Sequence, residues 1–403
     1  MSRLDELIAE LCPDGVKYRK LEDVIISLTT GLNPRKFFTL NTKDANNYYV
    51  TIREIHDQKI VFSDKTDRIN DSALAMCNNR SKLEIGDILF SGTGTIGEVA
   101  VINEYPYNWN IKEGVYSIKP NKLKINSKYV MYVLSSSSTR EEYMKKAAGG
   151  TVKSVPMGEL RKLIIPVPPL PVQEEIVRIL DNFAELTAEL TKRKQQYQYY
   201  RDSLLDFSDD NDNKSNQIKR LINELCPNGV EYKLFGEVAT IARGASPRPI
   251  HKYITDNEDG VNWIKIGDVA VGSKYVTETK ERITPEGAKH SRFVRKGDFI
   301  LSNSMSFGRP YIMKTSGCIH DGWLSISNFE KFYLSDFLYH LLNANFVQRI
   351  MLHKASSGTV SNLNADIVKS LKLPVPPLPI QEEIVRILDR FDALCNDLAS
   401  GLP

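Results

Sequence analysis

The sequence predicts an α+β fold built twice, with a long helix after each copy. Three observations lead there. The segment LIAELCPDGVKY from Leu7 returns as LINELCPNGVEY from Leu221, a shift of 214, and PVPPLPVQEEIVRILDNFAEL from Pro166 returns as PVPPLPIQEEIVRILDRFDAL from Pro374, a shift of 208. Between these blocks the chain is a series of short β-rich runs broken by Gly, Asn and Asp. After each PVPPLP stop, apolar residues recur at alternating intervals of three and four.

The globular copies cover residues 1–165 and 208–373. Their similarity is faint but in register: YVTIREI (Tyr49 to Ile55) lies against WIKIGDV (Trp263 to Val269), and GGTVKSV from Gly149 lies against SGTVSNL from Ser357. Runs such as IGDILFSG, EVAVI, GVYSIKP, GDFILSNS and WLSISNF read as strands, and Lys128 to Lys146 and Asp336 to His353 as helical patches. Each half is a variable body followed by a nearly constant handle.

The handles, residues 166–207 and 374–403, carry a heptad seam. In the first it runs through Ile176, Ile179, Phe183, Leu186, Leu190, Tyr197, Tyr200, Leu204 and Phe207, with Arg193 as the exception; in the second it runs through Ile384, Ile387, Phe391, Leu394 and Leu398. The first helix is expected to span about 36 residues, roughly 54 Å, more than one small domain can cover. An antiparallel coiled coil between the two bodies is therefore expected. The second helix is shorter, so Ile176, Ile179, Phe183 and Leu186 are expected to lack a full partner within the chain and to promote self-association or partner binding.

Charge follows the same division. Residues 1–165 hold 24 Lys and Arg against 20 Asp and Glu, and residues 208–373 hold 22 against 18; the handles hold 5 against 7 and 2 against 5. Two basic heads and acidic helices suit a polyanion touched at two places, with the helices left for protein partners. No run of about 18 apolar residues is present and the N-terminus is charged, which predicts a cytoplasmic protein without a membrane span. The five cysteines, Cys12, Cys77, Cys226, Cys318 and Cys395, are scattered without ligand spacing and are expected to be reduced.

FSGTGTIGEVAVI, Phe90 to Ile102, contains the G-x-G-x-x-G spacing of a dinucleotide loop at Gly92, Gly94 and Gly97. That motif needs a helix directly after its glycines, whereas EVAVINEYP is a β-branched run ended by Pro106. The second copy reads FILSNSMSFGRPYIM, keeping Gly308 for Gly97 and losing the other two glycines. The stretch is expected to be a tight loop between strands. No metal motif, no P-loop and no N/D-P-P-Y/F segment of an amino-methyltransferase occurs, so no catalytic or metal-ligating residue is assigned.

Two variable domains, each followed by P-x-P-P-L-x-x-Q-x-x-I-x-x-I-L-D-x-F, with KQQYQYYRDSLLDF ending the first helix, resemble the specificity subunit of type I restriction–modification systems. GLNPRK (Gly31 to Lys36), GASPRP (Gly244 to Pro249) and GTIGEVAVI also match family features. The resemblance implies two target-recognition domains, each contacting one part of a split, asymmetric double-stranded DNA target. It implies helices that set the separation of the two parts and dock two methyltransferase subunits, and through them the restriction and translocase subunits. It implies no catalysis and no cofactor in this chain, S-adenosylmethionine, ATP and Mg being used by the partners.

Phosphate contacts are expected from Lys and Arg on loops and base discrimination from Arg, Asn, Gln, Ser or Thr reaching groove edges. The candidates are Arg35, Lys36, Arg53, Thr95 and Lys153 in the first domain, and Arg243, Arg248, Lys265, Asn303, Ser306, Arg309 and Thr359 in the second. Two other readings remain open at this point: a two-headed scaffold for a protein or RNA, and a fused DNA-modifying enzyme.

Overall fold

The computed structural model describes residues 2–208, 214–269, 272–303, 307–356 and 363–400, the side chains of 395–400 excepted. The chain divides into two compact units, Met1–Glu185 and Leu186–Pro403. The division falls inside the first long helix, so that helix belongs to both units.

In the first unit, Arg3–Leu11 (α1) opens on a reciprocal cap: the Asp5 N–H donates to the Ser2 hydroxyl and the Ser2 N–H to the Asp5 carboxylate. Strands Tyr18–Lys20 (β1), Ile25–Thr30 (β2), Asn47–Val50 (β3) and Arg68–Ile69 (β4) precede helix Asp71–Arg80 (α2), and Ile88–Ser91 (β5), Val99–Val101 (β6), Trp109–Ile111 (β7) and Val115–Pro120 (β8) follow it. Two sheets result. One is antiparallel in the order β2-β8-β5-β6; the other is β4-β3-β7, with β3 and β7 parallel.

The alternation of side chains along β5 explains how the sheets stack. Ile88 and Phe90 enter a cluster with Tyr129, Val130 and Leu134 of Ser127–Ser135 (α3) and Tyr143 of Ser137–Lys145 (α4), while Leu89 joins Val50, Trp109 and Ile111 of the second sheet. Every residue of β5 is buried. Each such apolar side chain contributes about 1.5–3 kcal/mol relative to exposure. Ile164–Pro166 (β9) then pairs antiparallel with β1 and leads into Leu170–Leu205 (α5), whose 36 residues match the length expected from the heptads.

The second unit repeats the plan. After Asn216–Leu225 (α6) come Tyr232–Leu234 (β10), Thr240–Arg243 (β11), Val261–Ile264 (β12), Phe299–Ser302 (β13), Pro310–Met313 (β14), Gly317–Ile319 (β15) and Trp323–Ser327 (β16). The sheet β11-β16-β13-β14 is extended by a two-residue edge strand, Tyr275–Val276, and β12 again pairs in parallel, with β15. Phe299 and Leu301 face Phe337 and Leu341 of Ser335–Leu342 (α7), whereas Ile300 faces Ile264 and Ile319. Asn345–Ser356 (α8), Lys372–Pro374 (β17) and Leu378–Ser400 (α9) complete it. Each helical patch expected from the sequence is thus two helices, broken before Ser137 and before Asn345.

The handles are anchored alike. Buried Gln173 accepts from the Asn126 N–H at 2.8 Å and donates to the carbonyls of Lys124 and Pro168; buried Gln381 accepts from the Leu334 N–H at 2.9 Å and donates to those of Phe332 and Pro376. Each amide fixes the start of a long helix on its own domain.

Candidate nucleic-acid interface

The glycine-bearing stretch is the tip of a hairpin. β5 and β6 are antiparallel, with Phe90 opposite Val99. The Gly97 N–H donates to the Ser91 carbonyl at 3.0 Å, and the Ser91 hydroxyl accepts from the Glu98 N–H at 2.8 Å. The second copy makes the same turn: Gly308 N–H to the Ser302 carbonyl at 2.9 Å, and Arg309 N–H to the Ser302 hydroxyl at 3.2 Å. Gly97 and Gly308, the pair kept in both copies, have φ of +93° and +69°, where a side chain is strained. Among the described residues no helix follows either tip, each strand running on into the next, as a pyrophosphate site would not.

In the first unit, loops from both sheets converge on Lys112–Gly114. The Lys112 N–H donates to Val50 at the end of β3, the Glu113 N–H to Leu32 just beyond β2, and the Gly92 N–H at the hairpin tip to Gly114. The segment leading to Val155 closes the ring, because Val155 N–H donates to the Gly92 carbonyl and Gly94 N–H to the Lys153 carbonyl. The close approach requires Gly31, where a Cβ would stand 1.8 Å from the Ile111 carbonyl oxygen. Just after it, Asn33 caps the one-turn helix Pro34–Phe37.

This rim gathers the sequence candidates. Arg35, Lys36, Thr95 and Lys153 are exposed around it. Arg53 is exposed on the turn following β3, but its guanidinium is engaged, 2.6 Å from Asp67 and with Nε donating to the Thr51 hydroxyl. Exposed Lys112 was missed by sequence reasoning although it is the pivot of the rim. Its signal was present: WNIKEG from Trp109 aligns with GCIHDG from Gly317 at the handle's shift of 208.

The second unit builds the same ring from different side chains. The His320 N–H donates to Ile264, the Ala245 N–H to Ile319, the Asn303 N–H to Gly322 and the Leu363 N–H to Asn303. Gly244 takes the place of Gly31, a Cβ there falling 2.1 Å from the His320 carbonyl oxygen. At the centre lies Asp321. The Ser246 hydroxyl donates to its Oδ1 at 3.0 Å, His320 Nε2 stands 2.9 Å from the same oxygen, and the Arg248 guanidinium is 3.5 Å from Oδ2. Its carbonyl accepts from Arg243 Nε at 3.3 Å and from the Asn303 amide at 2.9 Å. Partial burial pushes the Asp321 carboxyl upward, but the Ser246 hydroxyl, His320 and Arg243 outweigh it and hold the group below its ordinary value.

Two candidates in this unit are engaged within the fold. Asn303 is only 3% exposed and its amide donates to the Asp321 carbonyl, which ties the loop to Asp321. Lys265 is paired with Glu281. Arg248 projects outward with its side chain 83% exposed, and Arg243 and Arg309 are exposed as well. Ser306 and Thr359 lie outside the described residues.

The helical seam is corrected in part. In the second unit α5 and α9 run antiparallel: Tyr200 stacks on Phe391 with centroids 5.1 Å apart, Tyr197 meets Asp392, and Leu204 shares a core with Ile384 and Leu388, packed round by Ile387. Ile384, however, is covered by its own domain's core, and Ile176 packs likewise on the core of the first unit. Ile179, Phe183 and Leu186 are half-buried, and Leu190 is buried, so the expected bare stripe is partly covered. Leu394 is 53% exposed, and Phe207 lies beyond the end of α5, with the Lys214 ammonium over its ring. The side chain of Leu398 is outside the described residues.

The seam further contains groups that the heptad reading passed over. Fully buried His340 has the Tyr197 hydroxyl 3.1 Å from Nδ1 and faces Asp389 with Nε2. Burial and the nearby Lys274 push its pKa down to about 4, against the pull of Asp389. Among the described residues no group of His, Cys, Asp and Glu side chains could hold a metal ion, and no helix is long and apolar enough to cross a membrane.

Comparison with known proteins agrees with this geometry. Residues 13–197 and 227–403 match a family model described as the type I restriction modification DNA specificity domain. The specificity subunit of a type I restriction enzyme from Escherichia coli is 30% identical over 262 residues, 60% of this chain and 58% of that one, so the chain spans less than two thirds of that relative's length. A second Escherichia coli type I specificity subunit is 28% identical over 327 residues, 77% of this chain and 72% of the relative. The crystal structure of a type I restriction–modification S subunit from M. genitalium shares the fold, with a TM-score of 0.59 at 15% identity, covering 96% of this chain and 92% of that one.

Proposed function

The chain belongs to the type I restriction–modification DNA specificity family, and on that premise we propose that it is the non-catalytic, DNA-reading subunit of such a complex. One observation carries the reading. Each unit ends its two sheets in a ring of loops closed by three corresponding backbone hydrogen bonds, from Lys112, Gly92 and Val155 in one and from His320, Asn303 and Leu363 in the other, while the side chains on that ring differ between the units. A conserved ring with changed tips is what two readers of different sequences require.

Each ring contacts one half of a split duplex target, its exposed Lys and Arg taking phosphates and a few side chains reaching groove edges. The two handles, nearly identical in sequence and anchored identically, dock two copies of one methyltransferase partner. Those partners bring S-adenosylmethionine, and the restriction and translocase subunits that join through them bring ATP and Mg chemistry. The work takes place in the cytoplasm, where the host DNA is.

Selection from a pool of randomised duplexes, with the chain bound to its cognate methyltransferase, tests the reading. The expected product is a split motif with unequal halves. Four residues inserted after Thr191 add about 6 Å of helix and a little over one turn, and should lengthen the unread gap or abolish binding. An unsplit motif, preference for RNA, or assembly indifferent to DNA would overturn the proposal.

A further inference from the structure

Resting on the DNA-reading role proposed above, we infer that Asp321 is a specificity-determining residue of the second domain: it restrains Arg243 and Arg248, so that these arginines engage bases that replace it and are denied to arbitrary phosphates. An unrestrained arginine at a DNA-facing loop is drawn to any phosphate, and that attraction carries no sequence information. Here the Asp321 carboxylate faces the Arg248 guanidinium at 3.5 Å, and its carbonyl receives Arg243 Nε at 3.3 Å.

The carboxylate is itself held. Ser246 donates to Oδ1, and the Gly322 N–H donates to His320 Nδ1, which leaves the proton on Nε2 directed at that same oxygen, 2.9 Å away. Oδ2 is thereby kept for Arg248. To leave it, the guanidinium must find acceptors of matching geometry, such as guanine O6 and N7, and the vacated oxygen can then accept from a cytosine amine. A wrong base pair leaves both groups without these partners, so discrimination is built into the exchange. Glu113 holds the equivalent place in the first unit, and no arginine is paired with it among the described residues. The device therefore belongs to the second domain alone.

The test compares wild type, Asp321→Asn and Glu113→Gln, each bound to the cognate methyltransferase, by selection from randomised duplexes and by binding to one selected duplex and to versions scrambled in either half. Asp321→Asn should blur one half-motif and leave the other sharp. Discrimination against the duplex scrambled in that half should fall by about ten- to a hundredfold. Binding to the scrambled duplex should become more salt-dependent, the slope steepening by roughly one as the freed Arg248 guanidinium reaches a phosphate, while Arg243 keeps its main-chain acceptor. A role limited to holding the loop together would not steepen it. Glu113→Gln should leave both halves sharp.

Unchanged halves with an unchanged slope, or equal blurring of both halves, would overturn the inference. If Asp321→Asn fails to fold by thermal melting, Asp321→Ser, which likewise removes the carboxylate facing Arg248, is read by the same criteria. A wild-type selection with no split motif would instead sink the DNA-reading role, which separates the two failures.

Discussion

At the loop-bearing end of the first unit, Arg35, Lys36, Lys112 and Lys153 stand exposed around a ring whose centre is backbone; at the same end of the second, Arg243, Arg248, Ser246, His320 and Asn303 are tied to the single residue Asp321. The backbone bonds are nearly the same. A Cβ is excluded at both Gly31 and Gly244 by a carbonyl from the facing strand end, and Gly97 and Gly308 both turn at positive φ. Backbone geometry fixes where the tips stand, and it tolerates almost any side chain that points outward. Recognition can thus diverge between the copies without disturbing the fold beneath.

The largest effects should come from breaking what the copies share. Gly31→Val and Gly244→Val each drive a side chain into a backbone carbonyl, and each should destabilise its own unit by roughly 3 kcal/mol or more. Hydrogen exchange resolved by unit should show the loss confined to the mutated copy. Gln173→Leu and Gln381→Leu should cost about 2–4 kcal/mol each, since each takes the partner from one buried carbonyl, one partly buried carbonyl and one partly buried N–H. Clearly unequal losses in thermal unfolding would show that the handles are not anchored equivalently.

Acid should separate the copies. His340 stands where the first unit has Tyr132, whose hydroxyl donates to Asp181 at 2.7 Å. Because the folded pKa of His340 lies below the ordinary 6.5, at about 4, the unfolded chain binds a proton in that interval that the folded chain refuses. Stability from this site is complete above pH of about 6.5 and is lost as the pH falls toward about 4. Asp392, pushed upward by its burial, opposes the trend at the acid end. The second unit should therefore melt several degrees lower at the acid end of this window than at neutral pH. His340→Gln should remove most of that dependence; the first unit should not share it.

Smaller effects remain for the seam and the rim. A double-mutant cycle on Tyr200 and Phe391 should give a coupling of about 1 kcal/mol. Arg35→Ala should change stability by no more than about 0.5 kcal/mol and reduce the salt slope of DNA binding by about one. A stability loss as large as that of Gly31→Val would mean that Arg35 supports the loop and does not serve the ligand.

Much of this was legible in the sequence. The repeated blocks predicted two bodies and two handles, short β-rich runs broken by Gly, Asn and Asp predicted the strands, and the β-branched run after Gly97 predicted a tight loop between strands in place of a nucleotide loop. The heptad spacing was correct in period but silent about what covers each position: Ile176 and Ile384 keep the seam's rhythm and yet lie on domain cores, because periodicity defines a helix face and not the surface that meets it. Asn303 was read as an exposed donor because its residue type allows that, and nothing adjacent in the chain reveals the Asp321 carbonyl that consumes its amide.

By itself the sequence determined the duplication, the length of the first long helix, the short strands and the tight turn at Gly97, the last three governed by residues a few positions apart. Only the tertiary structure decided which loops share a ring, that Lys112 is the pivot of one and Asp321 of the other, and that His340 is buried in the seam. Arg243 and Asp321 are 78 residues apart, and Tyr197 and His340 143 apart. Contacts at such separations exist only after two sheets and their helices have packed, and local pattern carries no record of them.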